Sequence, residues 1–378
     1  LEFLARERET LEQFMPGLDA RLAEMPLEEL ESPDTRAIAA FRDAGGVGML
    51  IPEEHRGAGA GPIEAIRIQR AIATRSPSLA VATTMHHFSS ATMLELWKIE
   101  RGLEWMLLQA IGEGKLMLAS GFAEGVRGQG VLKPTMRGRR ENGKVVISGT
   151  KKPCSLSRSM DLLTASVVVT PEDPNAAEEF AVALVPASSP GLDVAPFWGS
   201  RVLAGAESDA VTLTDVSVEN DLIVAMGSAD AAQLDKIETA GFLWFVLLIT
   251  ASYVGMASAI AERVLSEGRH DAALRLAPAT ELEAAMASLE GIAFQLAAGD
   301  ASGALLTRAL LCRYAAQDAI NRAVAAAVEQ LGGMAFIGGD EVNYFAGASR
   351  ALAFHPPARP KNTELVAAAV AGGDLVIR

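Results

Sequence analysis

Glu141-Asn142-Gly143-Lys144-Val145-Val146-Ile147-Ser148 decides how the chain divides. Asn-Gly suits the two positive-φ positions of a type I′ turn, and the β-branched run after it reads as a strand, so the stretch is a hairpin. Further β-prone runs follow at 162–170, 180–185 and 210–218, separated by turns, which makes a β domain of roughly 100 residues. Both flanks have a different texture. Residues 1 to 111 alternate charged and apolar faces at helical spacing, interrupted by the Gly/Pro-rich stretch 45–62. Beyond residue 228 the chain is Ala/Leu-rich and helical as far as Gln330. It then breaks at Gly332-Gly333 and at Pro356, Pro357 and Pro360. The expected architecture is an α+β fold in three units: helical over 1–114, β over 115–227 and helical over 228–378.

Composition narrows the partners. The 378 residues suffice for two or three packed units, and 50% apolar with 21% charged residues is ordinary globular usage. Thirty-three basic against 47 acidic residues leave a net charge of −14, which argues against nucleic acid and against an anionic membrane surface. Two cysteines and five histidines supply neither a disulfide framework nor a metal spacing, so a reducing cytoplasm and no metal are expected. The first residues, charged from Glu2 onward, do not have the layout of a signal peptide. Residues 239–261 carry no charge and are long enough to cross a membrane. Gly241, Thr250, Ser252, Gly255 and Ser258 interrupt the apolar run, and the expectation is a helix buried on all sides in a bundle.

Four motifs then fall in order. They are Gly48-Met49-Leu50-Ile51-Pro52-Glu53-Glu54 with Gly57-Ala58-Gly59-Ala60-Gly61; Phe122-Ala123-Glu124-Gly125-Val126-Arg127-Gly128-Gln129; Gly149-Thr150-Lys151-Lys152-Pro153-Cys154-Ser155; and Glu329-Gln330-Leu331-Gly332-Gly333. Their order and spacing resemble the acyl-CoA dehydrogenase superfamily over most of the chain. That resemblance implies FAD enclosed by an N-terminal helical domain, a middle β-barrel-like domain and a C-terminal four-helix bundle. It implies that Phe122, Ala123, Gln129 and Ser155 meet the flavin. Glu329, Gly332, Gly333 and Arg269 would reach it from a neighbouring subunit of a homodimer or homotetramer. A flavin needs apolar cover for its ring and a hydrogen bond near its reactive nitrogen, and Ser155 either supplies that bond or merely starts an exposed turn.

Departures from the family pattern bear on the reaction. Arg56 stands at a glycine position of the first loop, Ala123 at a threonine, Gln129 at a serine, Pro153 at an aromatic and Glu329 at a glutamine. Family dehydrogenases remove the α-proton of an acyl thioester with a glutamate, because that proton leaves only to a positioned base. Counting from Gly332-Gly333 puts one base position at Pro356, beside His355. Counting back from Gly255 puts the other at Phe245, beside Trp244. Neither is a carboxylate. His355 or Glu364 would then have to act as the catalytic base, with Trp244, Phe245, His86 and His87 facing the substrate. The expected activity is oxidation of an acyl thioester on CoA or an acyl carrier protein, with a separate electron acceptor. The alternatives are a monooxygenase of the same superfamily fed by a flavin reductase, and a flavin-free interaction protein.

Overall fold

The computed structural model of the chain describes residues 2–100, 102, 104–126, 134–173, 175–225, 231–267 and 271–375. Helices come first: α1 (Ala5–Phe14), α2 (Leu18–Ala23), α3 (Leu27–Leu30), α4 (Ala37–Asp43), α5 (Pro62–Arg75), α6 (Pro77–Glu100) and α7 (Glu104–Gly114). Strands follow: β1 (Leu118–Gly121), β2 (Arg137–Glu141), β3 (Lys144–Cys154), β4 (Leu162–Thr170), β5 (Glu179–Pro186), β6 (Leu192–Ala195), β7 (Asp209–Glu219) and β8 (Ile223–Ala225). Helices close the chain: α8 (Ala231–Glu267), α9 (Ala272–Ala297), α10 (Gly303–Ile337), α11 (Glu341–Ser349) and α12 (Arg359–Val370).

The eight strands form one mixed sheet in the order β6-β7-β3-β2-β4-β5-β8, with β1 pairing β4 off that path. The β2–β3 hairpin closes with Glu141 opposite Lys144. Its turn residues Asn142 and Gly143 take φ of 51° and 78°, as the type I′ reading requires. Pairing is antiparallel except for β1 and β2 against β4. Strand β4 is buried along almost its whole length, in keeping with its central place and its unbroken apolar run.

Helix α8 is the spine of the C-terminal unit. Its most apolar stretch is 94% buried inside the protein, so its length and hydrophobicity serve the core. Helix α5 approaches it closely at Gly255, where a Cβ would come within 2.3 Å of the Arg70 carbonyl oxygen. Helices α9 and α10 pack on α8, and so do α5 and α6 of the N-terminal unit. Helix α10 breaks at Gly332, whose φ of 74° and ψ of 178° are not helical. In the first loop, Arg56 takes φ of 67°, the left-handed region that a glycine would enter more easily.

Candidate active site

A cavity of about 490 Å³ lies where the three units meet. Helix α6 presents Val81, Met85 and Phe88 to it, spaced one and two turns apart on one face. Helix α8 presents Phe242 and Phe245, the end of β1 leads in Phe122 and Ala123, and the end of β3 delivers Pro153 and Ser155. The segment after α11 closes the wall with Phe354, His355 and Pro356. Phe88 meets Phe122 edge to face at 5.7 Å and Phe245 at 5.6 Å, an arrangement the ring quadrupoles favour. The Ser155 and Ser208 hydroxyls sit 2.9 Å apart on the sheet side. Among the described lining residues there is no Asp or Glu, and the charged or titratable ones are Arg350 and His355.

Two buried carboxylates hold the sheet side in shape. Glu124 accepts from the Thr135 and Met136 amides, the Thr135 hydroxyl and the Lys151 ammonium at 2.7 Å. Burial alone would raise its pKa, but the hydrogen bonds from Lys151 and Thr135 outweigh that and hold it at about 2. Lys151 is itself lowered, because burial outweighs its single carboxylate partner. The convergence of donors keeps Glu124 ionised near neutral pH, with the Lys151 amine as one of those donors. Glu207 accepts from the amide and hydroxyl of Ser159, each at 2.8 Å, and so fixes the turn that follows Ser155. Ser208, Glu124, Lys151 and Glu207 were not expected as site supports. One signal was legible: Lys151 at an inward position of a strand demands a buried anion.

The histidines separate. His355 lies on the cavity wall with part of its surface open to it, and its ring meets Tyr253 edge to face at 5.4 Å. Burial, then the nearby Arg313 guanidinium, push its pKa down to about 3. His86 and His87 do not line the cavity, contrary to expectation. The His86 ring bridges two backbones, with Nε2 2.9 Å from the Val47 carbonyl and Nδ1 accepting from the Leu118 amide at 3.1 Å. That consumes both nitrogens in joining α6 to β1, and burial lowers its pKa to about 4. His87 packs against Phe41 and His86 with both ring nitrogens buried and without a partner, and burial lowers its pKa further still.

Other expected residues part company with the cavity as well. Trp244 does not line it: one residue along the helix from Phe245, it points about 100° away, lies in the core and has its indole N–H 3.3 Å from Glu95. Glu364 is exposed on α12 and does not line the cavity, because the segment 355–358 brings His355 and Pro356 to the wall before that helix begins. Glu329 and Gly333 are exposed on the surface beside the Gly332 break. Gln129 and Arg269 lie outside the described residues. A larger open cleft of about 1240 Å³ shares Trp198 and Ser200 with the cavity, but the expected site residues converge on the smaller one.

Comparisons with known proteins agree with this geometry. Residues 6–97 match the family "Acyl-CoA dehydrogenase, N-terminal domain". The chain is 40% identical over 375 residues, 98% of each chain, to isobutylamine N-hydroxylase of Streptomyces viridifaciens. It is 26% identical to the acyl-CoA dehydrogenase FadE12 of Mycobacterium tuberculosis, over 78% of this chain and 77% of that one. Among solved structures, FMN-bound TdsC from Paenibacillus sp. A11-2 superposes with a TM-score of 0.82 at 19% identity, covering 98% of each chain. In motif order, fold and full-length similarity alike, the chain belongs to the acyl-CoA dehydrogenase superfamily.

Proposed function

We propose that this enzyme is a flavin-dependent monooxygenase that N-hydroxylates a small aliphatic amine. The observation that carries the reading is that both positions at which the family pattern would bring a carboxylate base, Phe245 and Pro356, do line the cavity and hold no carboxylate. No Asp or Glu among the described lining residues is there to take an α-proton from a thioester, and His355, its pKa pushed down to about 3 chiefly by burial, is too weak a base for that step. This supports the oxygenase alternative over acyl-thioester dehydrogenation. The full-length similarity to an amine N-hydroxylase, higher than that to an acyl-CoA dehydrogenase, supports it independently. In balanced form, an amine, dioxygen and a reduced flavin give the hydroxylamine, water and the oxidised flavin. A separate reductase would supply the reduced flavin.

The cavity fits a flavin ring. Phe122 and Ala123 and the apolar face of α6 would give it apolar cover, and the Ser155–Ser208 hydroxyl pair would give it polar partners. When bound, the flavin supplies two electrons and activates dioxygen. Phe88, Phe242 and Phe245 would exclude water and hold the alkyl part of the substrate. His355, uncharged at neutral pH, would offer a hydrogen bond from the cavity wall. FMN is the form bound in the solved relative, and we carry that form over to this chain. Met334 and Ile337, 72% and 73% exposed next to the Gly332 break, are apolar surface that a second copy would cover, in line with the expected dimer or tetramer.

The test combines the protein with FMN, a flavin reductase driven by a nicotinamide, isobutylamine and ¹⁸O-labelled dioxygen, followed by mass spectrometry. A hydroxylamine carrying one ¹⁸O atom is expected. Bleaching of bound flavin by an acyl thioester under nitrogen, with an enoyl product and no amine oxygenation, would reverse the reading.

A further inference from the structure

Two buried side chains that do not line the cavity meet His355. Arg313, 1% exposed on α10, donates from Nη2 to the His355 carbonyl at 2.7 Å and to the Leu352 carbonyl at 3.2 Å. Its Nη1 has no hydrogen-bond partner, and it makes no ion pair among the described residues. Asp318 on the same helix is committed to Arg359 at 2.6 Å. Tyr253 of α8 is fully buried, packs its ring on His355, and leaves its hydroxyl without a partner. A buried guanidinium without a carboxylate is rare, since an isolated charge in an apolar setting is costly. Neither group is consumed by the site described above.

We propose that Arg313 is a positioning residue whose uncompensated charge, in the apolar setting completed by Tyr253, holds His355 as a neutral imidazole. The cavity therefore takes its amine as the free base and rejects the ammonium form. The second part rests on the amine N-hydroxylation proposed above. The reasoning is electrostatic. Among the described residues, the titratable or charged groups set against His355 are Arg313 from α10 and Tyr253 from α8, and Arg350 lines the same cavity; none of them is an anion near pH 7. Burial lowers the Arg313 pKa to about 10, which leaves it charged at that pH. A second positive charge, on the imidazole or on a bound ligand, has no anion to meet it among the described residues. Rejection of the cation is also productive, because oxygen transfer to nitrogen needs its lone pair, which an ammonium ion lacks. By the same hydrogen bonds Arg313 ties down the carbonyls of the segment that carries His355 and Pro356 into the wall.

The test is an NMR titration of the imidazole signals, assigned by single substitutions among the five histidines, paired with KM against pH for an alkyl amine. In the wild-type protein His355 should stay neutral down to pH 5. Arg313→Gln should raise its pKa by at least one unit, a tenfold change in proton affinity, whereas Arg313→Lys and Tyr253→Phe should not. KM for total amine should fall tenfold per pH unit up to the pKa of the amine, and Arg313→Gln should flatten that slope. A wild-type His355 titrating near 6.5 overturns the proposal, and it does so even if Arg313→Gln fails to fold. So does a folded Arg313→Gln with an unchanged titration, or a KM that ignores pH between 7 and 9. The imidazole titration needs no turnover. A protein that oxidises no amine therefore refutes the function while the Arg313 effect is still read directly.

Discussion

Phe245, on the buried helix α8, and Pro356, in the segment before α12, line the same cavity. They are the two places from which the family pattern would deliver a base, and one carries an aromatic ring and the other a pyrrolidine ring. Neither ring can take a proton, and both add apolar surface to the cavity wall. On the proposed function, Phe245 would limit substrate size.

Phe245→Ala should widen the cavity, so that longer or branched amines gain in kcat/KM relative to short ones. Phe245 is only half-buried, so the stability cost should stay under about 3 kcal/mol. Its neighbour is the control. Trp244→Ala empties a core position and should cost ~3–5 kcal/mol with chain-length preference unchanged. Denaturant unfolding and a series of amines measure both, and equal effects of the two substitutions on substrate range would show that Phe245 does not shape the cavity.

Ser155 and Ser208 share one hydrogen bond facing the cavity. If the pair contacts the flavin, Ser155→Ala should weaken flavin binding by about fivefold, the equivalent of ~1 kcal/mol for one lost hydrogen bond. Flavin fluorescence quenching gives the dissociation constant. An unchanged value in Ser155→Ala and in the double alanine variant would place the flavin elsewhere.

Glu124→Gln leaves the Lys151 ammonium buried without its counter-charge, and breaking such a pair typically costs ~3–5 kcal/mol. Replacing both partners, as Glu124→Gln with Lys151→Met, should recover more than half of that loss, because no unpaired charge then remains. Unfolding midpoints of the three proteins decide it. If the double variant is no better than the single one, the hydrogen bonds from Thr135 and Met136 matter more than the charge pair.

Much of the fold was readable from the sequence because its signals are local. The Asn142-Gly143 turn, the β-branched runs of β4 and β7 and the break at Gly332 each depend on a few adjacent residues. The short strands β1, β6 and β8 were not, since three or four residues take strand form only because a neighbour pairs with them. Motif spacing points to Phe245, Ser155 and His355, and all three line the cavity. His86 was misplaced because a histidine that bridges Val47 and Leu118 looks, in sequence, the same as one that faces a ligand. Trp244 and Phe245 are adjacent, so only helix phase tells the core residue from the lining one.

The buried histidines set the acid limit of the fold. An unfolded histidine titrates near 6.5, whereas His86 is lowered to about 4, His355 to about 3 and His87 well below its usual value, all chiefly by burial. Between those values the unfolded chain binds protons that the folded one does not, so stability rises with pH in this window. It is fully present above about 6.5 and is lost as pH falls towards 4. With three such groups titrating together, the slope near pH 5 approaches the order of 4 kcal/mol per pH unit. Glu31 works against this with a single proton, because burial raises its pKa and favours the protonated folded form as pH falls. Glu124 reinforces the loss below about 4.5. Urea unfolding at pH 7.5, 6.0 and 5.0 should therefore show a steep decline over the last unit, and His86→Gln should reduce that slope by about a third, whatever it does to stability at pH 7.5. A free energy that is flat from pH 7.5 to 5.0 would mean that these imidazoles already carry protons in the folded protein.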